Sequence, residues 1–249
     1  MFIFIPPSET KAFPSDADPA DLGSLALPEL APTRVALRDA LVRLCRGPAA
    51  KALEALGLSA GQSGELGHDR DIRRAPAGPA ADVYTGVLYD ALDIESLRGA
   101  SAARARTRLA VGSALFGLLR ADDPVPAYRL SATSKLPGQP TLAARWRPVL
   151  EPVLAQIAST ELVVDLRSGS YAALGRLPGA IKVEVLAEHS DGRRTVVSHF
   201  NKAHKGRLAR ALATTRSEPD DAAQVAAVAR RAGMQVERRG NALTVVVPA

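Results

Sequence analysis

The stretch TVVSHFNKAHKGRLARALA, residues 195–213, changes from an extended apolar run into a basic helix. Val196, Val197 and Phe200 suit the half-buried surface of a strand, and Asn201 stands where a helix cap is wanted. A helix start presents free backbone N–H groups, so the natural ligand of a basic junction of this kind is an anion, most often a phosphate. The cations of the junction are Lys202, Lys205, Arg207 and Arg210.

Length and cysteine content limit the class of protein. A chain of 249 residues can bury a large core without disulfides or metals. Its single cysteine, Cys45, excludes an intramolecular disulfide and any multi-cysteine zinc or iron–sulfur site, and fits a reducing cytoplasm. The N-terminal run MFIFIPPSETK is too short for a signal sequence or a membrane span, and no later apolar segment is long enough. We therefore expect a cytoplasmic protein with no membrane partner.

The net charge of +6 favours polyanionic partners. Arginine outnumbers lysine and alanine is abundant, which a genome rich in G and C would also produce. Local clusters of charge are therefore better evidence than the overall balance.

The predicted elements indicate an α/β fold (mixed α+β). Strands separated by helices come first, and a hairpin with its turn at Asp191-Gly192 comes later, which favours a mixed sheet surrounded by helices. We expect one compact domain over residues 1–249. The predicted strands are residues 2–5, 161–166, 180–188, 194–200 and 243–247, with a buried strand followed by a turn over 109–118 and a short strand or extended segment at 127–131. The predicted helices are residues 32–44, 49–56, 80–92, 101–108, 141–158, the basic helix after 201, and 220–232.

Residues 32–58 are predicted to form a helical hairpin around the turn Arg46-Gly47-Pro48. The pattern is similar to the helix-hairpin-helix module that grips a DNA backbone, although that module normally has two glycines and only Gly47 is present. A plain αα-hairpin is the alternative interpretation. In the functional interpretation, Arg46 and Lys51 contact phosphates.

Several common chemistries lack their motifs. The sequence contains no G-x-x-x-x-G-K-[ST], no G-x-G-x-x-G after a strand, no G-x-S-x-G and no H-E-x-x-H. His199 and His204 straddle the predicted strand–helix junction, but no carboxylate or cysteine lies near them in sequence. We expect neither a metal site nor a cofactor.

Five motifs follow one another along the chain: PPSETK from Pro6, DVYTG from Asp82, SALFGLLRADDPVPAYRLS from Ser113, VVDLRSGSY from Val163 and SHFNKAHKGRLAR from Ser198. Together they resemble the YaaA family of bacterial peroxide-stress proteins, and the chain is identified as an actinobacterial-type member. The resemblance implies a compact α/β unit of unusual fold with an embedded helix-hairpin-helix-like element. It also implies a positively charged cleft with affinity for double-stranded DNA, and a role in limiting peroxide damage linked to intracellular iron.

The resemblance also implies site residues. Two positions depart from the family pattern: the first motif reads Ser-Glu-Thr-Lys where proteobacterial members have Pro-Ala-Lys-Thr, and His204 stands where a small residue is expected between two lysines. The positions carried over are Ser8, Lys11, Tyr84, Arg120, Tyr128, Arg129, Asp165, Ser168, Tyr171, Lys202, Lys205 and Arg207.

Some of these residues have two interpretations. Cations at a helix start are unfavourable unless an anion compensates the helix dipole, which favours a ligand over a solvated face for the lysines of the basic helix. Tyr128 and Arg129 offer either stacking and a phosphate fork, or a structural tyrosine and an ion pair from Arg129 to Asp122 or Asp123. Asp165 is either the partner of a neighbouring arginine or a general base.

Two functions of different class follow. The first is DNA binding through phosphate contacts with little sequence readout, by a monomer. The second is an enzyme acting on a nucleotide, a nucleobase or another phosphate-bearing small molecule, with Asp165, Lys11 and Tyr171 as catalytic residues. A closed pocket lined by Lys11, Arg129, Asp165 and Lys205 would favour the enzyme, and an open basic groove would favour DNA. Iron sequestration is a third possibility that the scarcity of Cys and His makes poor. The phosphate-binding candidates are Lys202, Lys205, Arg207, Arg210, Arg129, Tyr128, Ser8, Ser168, Arg46 and Lys51.

Overall fold

The computed structural model of the chain describes residues 1–15, 17–196 and 201–249. Within these residues, eight strands form one mixed sheet in the order β4-β3-β1-β6-β7-β10-β9, with β8 paired to β7. The strands are β1 (Phe2–Ile5), β2 (Gly78–Pro79), β3 (Leu109–Ser113), β4 (Gly117–Arg120), β5 (Pro124–Val125), β6 (Val163–Asp165), β7 (Ile181–Glu188), β8 (Arg194–Val196), β9 (Gln235–Arg239) and β10 (Ala242–Pro248). Strands β2 and β5 form a separate two-stranded sheet.

Helices flank the sheet. They are α1 (Ala31–Cys45), α2 (Ala49–Leu56), α3 (Glu65–Asp71), α4 (Ala80–Val83), α5 (Val87–Leu92), α6 (Gly99–Arg108), α7 (Leu142–Thr160), α8 (Gly169–Ala172), α9 (Asn201–Thr214) and α10 (Ala222–Arg231). Short 3₁₀ turns lie at residues 28–30, 60–62 and 94–96.

Strand β1 lies in the interior of the sheet, between β3 and β6, because all four of its residues are apolar and can be buried on both faces. It runs parallel to β3 on one side, with Ile3 opposite Leu109, and parallel to β6 on the other, with Ile3 opposite Val164. Continuous apolar runs of this kind are typical of parallel strands covered by helices on both faces. The carboxyl ends of β1, β3 and β6 therefore meet at one edge of the sheet.

Glycines allow the two closest approaches between helices and the rest of the core. A Cβ atom at Gly206 of α9 would overlap the Leu88 carbonyl oxygen of α5 and lie 2.8 Å from the Cβ of Ala91. A Cβ at Gly117 would lie 2.6 Å from the ring of Trp146, whose indole nitrogen donates to the carbonyl of Ala114 at 2.8 Å. Helices α9 and α7 can pack this tightly only because both positions are glycine.

The mixed α/β class with a mixed sheet flanked by helices is confirmed. The predicted hairpin helices correspond to α1 and α2, joined by residues 46–48; whether they grip DNA as a helix-hairpin-helix module stays a prediction. The predicted β-hairpin is present as β7 and β8, paired in antiparallel register through Leu186 and Val196. Val197, His199 and Phe200 lie outside the described residues.

The helix predicted over 141–158 is present as α7, which continues through Pro148 and Pro152 and packs through a buried stripe that includes Trp146, Leu150 and Leu154. Residues 127–131 form no strand in the described chain, which leaves the second predicted alternative, an extended segment. Two sequence predictions need correction, over residues 80–92 and at β9. The helix predicted over 80–92 is two helices, because Gly86 adopts a φ of +96° between them. Strand β9 was not predicted, because QVERR shows no apolar alternation.

No helix among the described residues is both long and apolar enough to cross a membrane.

Candidate functional site

A cleft of about 680 Å³ opens at the carboxyl ends of β1 and β6. Ligands of α/β proteins bind at this place, because loops leaving neighbouring parallel strands diverge there. Four segments form its walls: the loop after β1, the start of α5, the loop after β6 and the first turns of α9. The cleft brings together five of the predicted site residues, namely Ser8, Ser168, Tyr171, Lys202 and Lys205.

The loop after β6 is held by an ion pair between Asp165 and Arg167. Both carboxylate oxygens of Asp165 accept from the Arg167 guanidinium, at 2.9 and 2.8 Å, and their side chains are 9% and 1% exposed. The guanidinium also lies 4.1 Å from the centre of the Phe4 ring, and one of its nitrogens donates to the carbonyl of Tyr171. Because its oxygens are occupied, Asp165 acts here as a partner of Arg167 and presents no free oxygen to the cleft.

Lys11 lies behind the loop that follows β1 and is not among the residues lining the cleft. Its ammonium donates to the carbonyls of Ser8 at 2.8 Å and Glu9 at 3.4 Å, and lies 4.3 Å from the ring centre of Tyr128. Burial lowers the pKa of Lys11 to about 8, against an opposing effect of the Glu9 carboxylate. The side chain therefore supports the loop from inside the protein.

The tyrosines beside Lys11 form a buried chain of hydroxyl groups. The hydroxyls of Tyr84 and Tyr128 lie 2.8 Å apart, and that of Tyr128 lies 2.7 Å from the Ser113 hydroxyl. Ser113 Oγ also accepts from the backbone N–H of Phe116 at 2.9 Å. Burial raises the pKa of Tyr84 to about 12, and burial also raises the pKa of Tyr128 well above its ordinary value. Both phenols are neutral at physiological pH and pack in the core.

Tyr171 is buried but reaches the cleft wall. Burial is the largest cause that raises the pKa of its phenol, and the Glu9 carboxylate adds to the effect. A neutral phenol in this position can donate or accept one hydrogen bond with a ligand.

Arg129 joins the loop after β1 to helix α3. Its guanidinium donates to the carbonyl of Glu9 at 2.9 Å and lies 3.8 Å from that residue's carboxylate, while its backbone N–H donates to Asp69 at 2.8 Å. One of the two interpretations of Arg129, an ion pair to Asp122 or Asp123, is wrong, because the Arg129 guanidinium lies against Glu9. Asp122 accepts from Arg106, and Asp123 accepts backbone N–H groups of Ala26 and Arg120.

Asp69 is a buried carboxyl that the sequence did not indicate. It is fully buried and accepts from the Cys45 thiol at 3.9 Å besides the Arg129 N–H. Burial raises the pKa of Asp69 to about 7, although the Arg129 hydrogen bond opposes the shift. It lies in the Gly- and Asp-rich segment 57–79, whose pattern gave no sign of a buried charge.

The cations of α9 divide between two faces of the helix. Lys202 and Lys205 face the cleft, and Lys205 donates to the carbonyl of Leu166 at 3.0 Å. Burial lowers the pKa of Lys205, with the Asp165 carboxylate opposing the shift. His204, Arg207 and Arg210 line a separate cavity of about 640 Å³ with residues 232–235 and β10.

The neighbours of Arg210 and of His204 explain the state of each side chain. Arg210 donates to the carbonyl of Leu92 at 2.7 Å and to the hydroxyl of Ser96 at 2.8 Å, so it caps the end of α5. Burial and the nearby Arg207 lower the pKa of His204, which favours the neutral imidazole. Arg120, carried over from the family motifs, lies away from both cavities, with its guanidinium 5.1 Å from the Phe2 ring centre.

Three smaller cavities continue from the cleft toward α1 and α2, and each shares lining residues with the one before it. A cavity of about 200 Å³ contains Arg129 and shares Tyr171 with the cleft. The next, of about 470 Å³, shares the end of α2 and adds Lys51 and Lys135. The last, of about 230 Å³, shares Lys51 and adds Arg43. We call the cleft and these three cavities the basic groove. Arg46 is exposed on the α1–α2 connection and is not among its lining residues.

The sequence as a whole, including the motif residues around the cleft and the groove, matches a described protein family. A family model for peroxide stress protein YaaA matches residues 1–238. The chain belongs to the YaaA peroxide stress protein family. It is 46% identical over 254 residues to a UPF0246 protein of Corynebacterium efficiens, covering 99% of this chain and 100% of the relative. It is also 43% identical to a UPF0246 protein of Streptomyces coelicolor, covering 97% of this chain and 94% of the relative.

The fold brings residues of several YaaA motifs together, but it assembles no group of metal ligands among the described residues. Ser8, Ser168 and Lys202, from the first, fourth and fifth motifs, meet in the cleft although they are far apart in sequence. Within the described residues, no three His, Cys, Asp or Glu side chains are arranged to hold a metal ion. The motifs thus build a polar and cationic surface.

Proposed function

We propose that this YaaA protein binds double-stranded DNA through the phosphate backbone, along the basic groove, as part of the peroxide stress response. The main support is the charge of the groove. Its lining includes seven basic residues and two acidic ones, Glu9 and Glu54. The basic residues are Arg43, Lys51, Arg129, Lys135, Arg167, Lys202 and Lys205.

Not all of these cations are available to a ligand. Arg167 is paired with Asp165, and Arg129 lies against Glu9. Lys51 and Lys202 are exposed at the two ends of the groove and have no ion pair within the described chain. Lysines held as point charges along an open surface suit contacts with phosphates at several positions, which bind without reading sequence.

The positions of Lys11 and Asp165 favour binding over the alternative of an enzyme. An enzyme of the proposed kind needs a base that touches the substrate, whereas both side chains are turned to protein partners behind the cleft wall. Of the four residues expected in a closed catalytic pocket, only Lys205 lines the cleft. Arg129 lines the adjoining cavity of about 200 Å³, whereas neither Lys11 nor Asp165 lines the cleft or that cavity.

Salt dependence of duplex binding tests the proposal. We expect log Kd for a 20-base-pair duplex to rise linearly with log salt, and each phosphate contact that is removed to lower the slope by about 0.9. Lys51→Ala and Lys202→Ala should each lower it by about that amount, and the double variant by about 1.8. Fluorescence anisotropy between 50 and 200 mM salt measures the slope.

Arg239→Ala is the control for loss of charge. Arg239 is exposed on β9, at the far edge of the sheet, and is not among the groove's lining residues. Its variant should keep the wild-type slope. An absence of duplex binding, a slope that does not depend on salt, or equal effects of Arg239→Ala and Lys202→Ala would overturn the proposal.

A further inference from the structure

The loop after β1 has its peptide groups arranged in an unusual way. The carbonyl oxygens of Ser8 and Glu9 both point at the ammonium of Lys11, at 2.8 and 3.4 Å, and Glu9 O also accepts from Arg129 at 2.9 Å. In a planar trans peptide the N–H group points opposite to the carbonyl. The N–H groups of Glu9 and Thr10 therefore point away from Lys11.

The side of the loop opposite Lys11 is the cleft. Ser8, Glu9 and Thr10 line the cleft, while Lys11 lies behind them. The hydroxyls of Ser8 and Thr10 lie 3.1 Å apart on the same loop. Consecutive backbone N–H groups that converge on one side form a concavity that binds anions. We call these two N–H groups and two hydroxyls the β1 nest.

We propose that the β1 nest binds a phosphomonoester, the terminal phosphate of a nucleic acid strand or of a nucleotide. Lys202 lines the same cleft and supplies a cation from α9, while Lys11 and Arg129 place positive charge behind the loop. The hydroxyl of Thr10 donates to the carbonyl of Thr85 at 3.4 Å, so the nest and Lys202 together offer four donor groups: two N–H groups, the Ser8 hydroxyl and the Lys202 ammonium. A monoester has three terminal oxygens and close to two negative charges, which fits this set better than a diester with two such oxygens and one charge.

Two neighbouring residues make room for the anion. Gly86 lies against the nest, where a Cβ atom would come within 3.2 Å of the Thr10 hydroxyl and 3.3 Å of the Ser8 hydroxyl. The carboxylate of Glu9, the acidic group on the same loop, lies 3.8 Å from the Arg129 guanidinium, which balances its charge. An anion can thus approach the backbone without meeting a Cβ or an unbalanced carboxylate.

The binding of a phosphomonoester at the nest extends the proposed DNA binding, and this inference rests on that proposal. The cleft is the end of the basic groove, so a duplex lying in the groove would bring a strand end, rather than the middle of a strand, to the nest. Lys11 is a positioning residue in this proposal, because it turns the two carbonyls inward and does not touch the ligand. Lys202 and the Ser8 hydroxyl touch the phosphate.

Backbone amide shifts provide the first test. In protein labelled with ¹⁵N at Glu and Thr, titration with inorganic phosphate should move the amide protons of Glu9 and Thr10 downfield and saturate. Thymidine 5′-monophosphate should produce the same shifts, and thymidine should not. If neither amide moves, or if the moving amides lie elsewhere, the nest is not a phosphate site.

Duplex ends provide the second test and distinguish the sources of the phosphate. At equal salt, a 5′-phosphorylated duplex should bind at least about tenfold more tightly than its 5′-hydroxyl counterpart. Ser8→Ala should reduce that preference about threefold or more, and Lys11→Met should abolish it, while both variants keep the wild-type salt slope on the 5′-hydroxyl duplex, which has no terminal phosphate for the nest. Ser8→Ala is a small change that keeps the test valid if Lys11→Met fails to fold.

The outcomes separate this inference from the proposed function. Duplex binding with a normal salt slope but no preference for the phosphorylated end overturns the inference and leaves groove binding in place. Saturable amide shifts with thymidine monophosphate and no duplex binding support the nest, identify a free nucleotide as its ligand and overturn the DNA proposal. A preference that survives in both Ser8→Ala and Lys11→Met overturns the assignment to these residues.

Discussion

Burial of the Lys11 ammonium should make the stability of this protein depend on pH in a direction opposite to that of a lysine whose pKa is raised by an ion pair. The pKa of Lys11 is lowered from 10.5 to about 8, with burial as the main cause. Between these two values the unfolded chain binds a proton at this position that the folded protein has already lost. The free energy of unfolding therefore rises with pH across that window.

The size of the effect follows from the two pKa values. Integrating the difference in bound protons from pH 8 to pH 10 gives a rise of about 2 kcal/mol in the free energy of unfolding. This window lies above the pKa of Asp69, about 7, so the titration of that neighbouring carboxyl contributes little there. The Cys45 thiol, whose pKa is raised from 9.0 to about 12, opposes the rise above pH 9, and tyrosines with raised pKa values oppose it above pH 10; both contributions are shared by a variant that lacks only the Lys11 amine.

The assay compares the wild type with Lys11→Met by urea unfolding at pH 8, 9 and 10. Taking the difference between the two proteins cancels the tyrosine contributions. We expect the wild type to gain about 2 kcal/mol relative to the variant over this range. Equal pH profiles for the two proteins would show that the Lys11 amine is solvated, and the description of the loop after β1 would then be wrong.

Three further changes test other parts of the structure. The pKa of the Cys45 thiol is raised to about 12 by burial and by Asp69, so the thiol of native protein should react with a disulfide reagent orders of magnitude more slowly than that of urea-unfolded protein, and equal rates would contradict its burial. Gly206→Ala should lower the free energy of unfolding by about 2–3 kcal/mol, because the new methyl overlaps α5; an unchanged thermal midpoint would contradict the close α5–α9 contact. Asp165→Asn should lower it by about 3 kcal/mol, because it leaves the buried Arg167 guanidinium without its counter-ion, whereas a loss below about 1 kcal/mol would mean that the pair is solvated.

Helix α9 shows which roles of its cationic side chains the sequence pattern predicts and which it does not. The helix was predicted with four cations as one phosphate site, yet Lys202 and Lys205 lie on one face, and Arg207 and Arg210 on another. The helical period of 3.6 residues already contained this division, since residues three apart share a face and the pair 202 and 207 does not. The role of Arg210 as a cap on α5 needed the contact with Leu92 to be known.

Features that depend on local pattern were predictable without the fold: the buried strand Phe2–Ile5, the helices α1 and α2, the β7–β8 hairpin, and the family, through motifs spread over nearly the whole chain. Local periodicity and turn chemistry act within a few residues, so they can be read without the fold. Three further facts became known only from the folded chain: the side of its loop that Lys11 occupies, the pairing of Asp165 with Arg167, and the burial of Asp69 beside Cys45. These facts depend on groups that are distant in sequence but close in space, and burial and pairing of charge are properties of that arrangement alone.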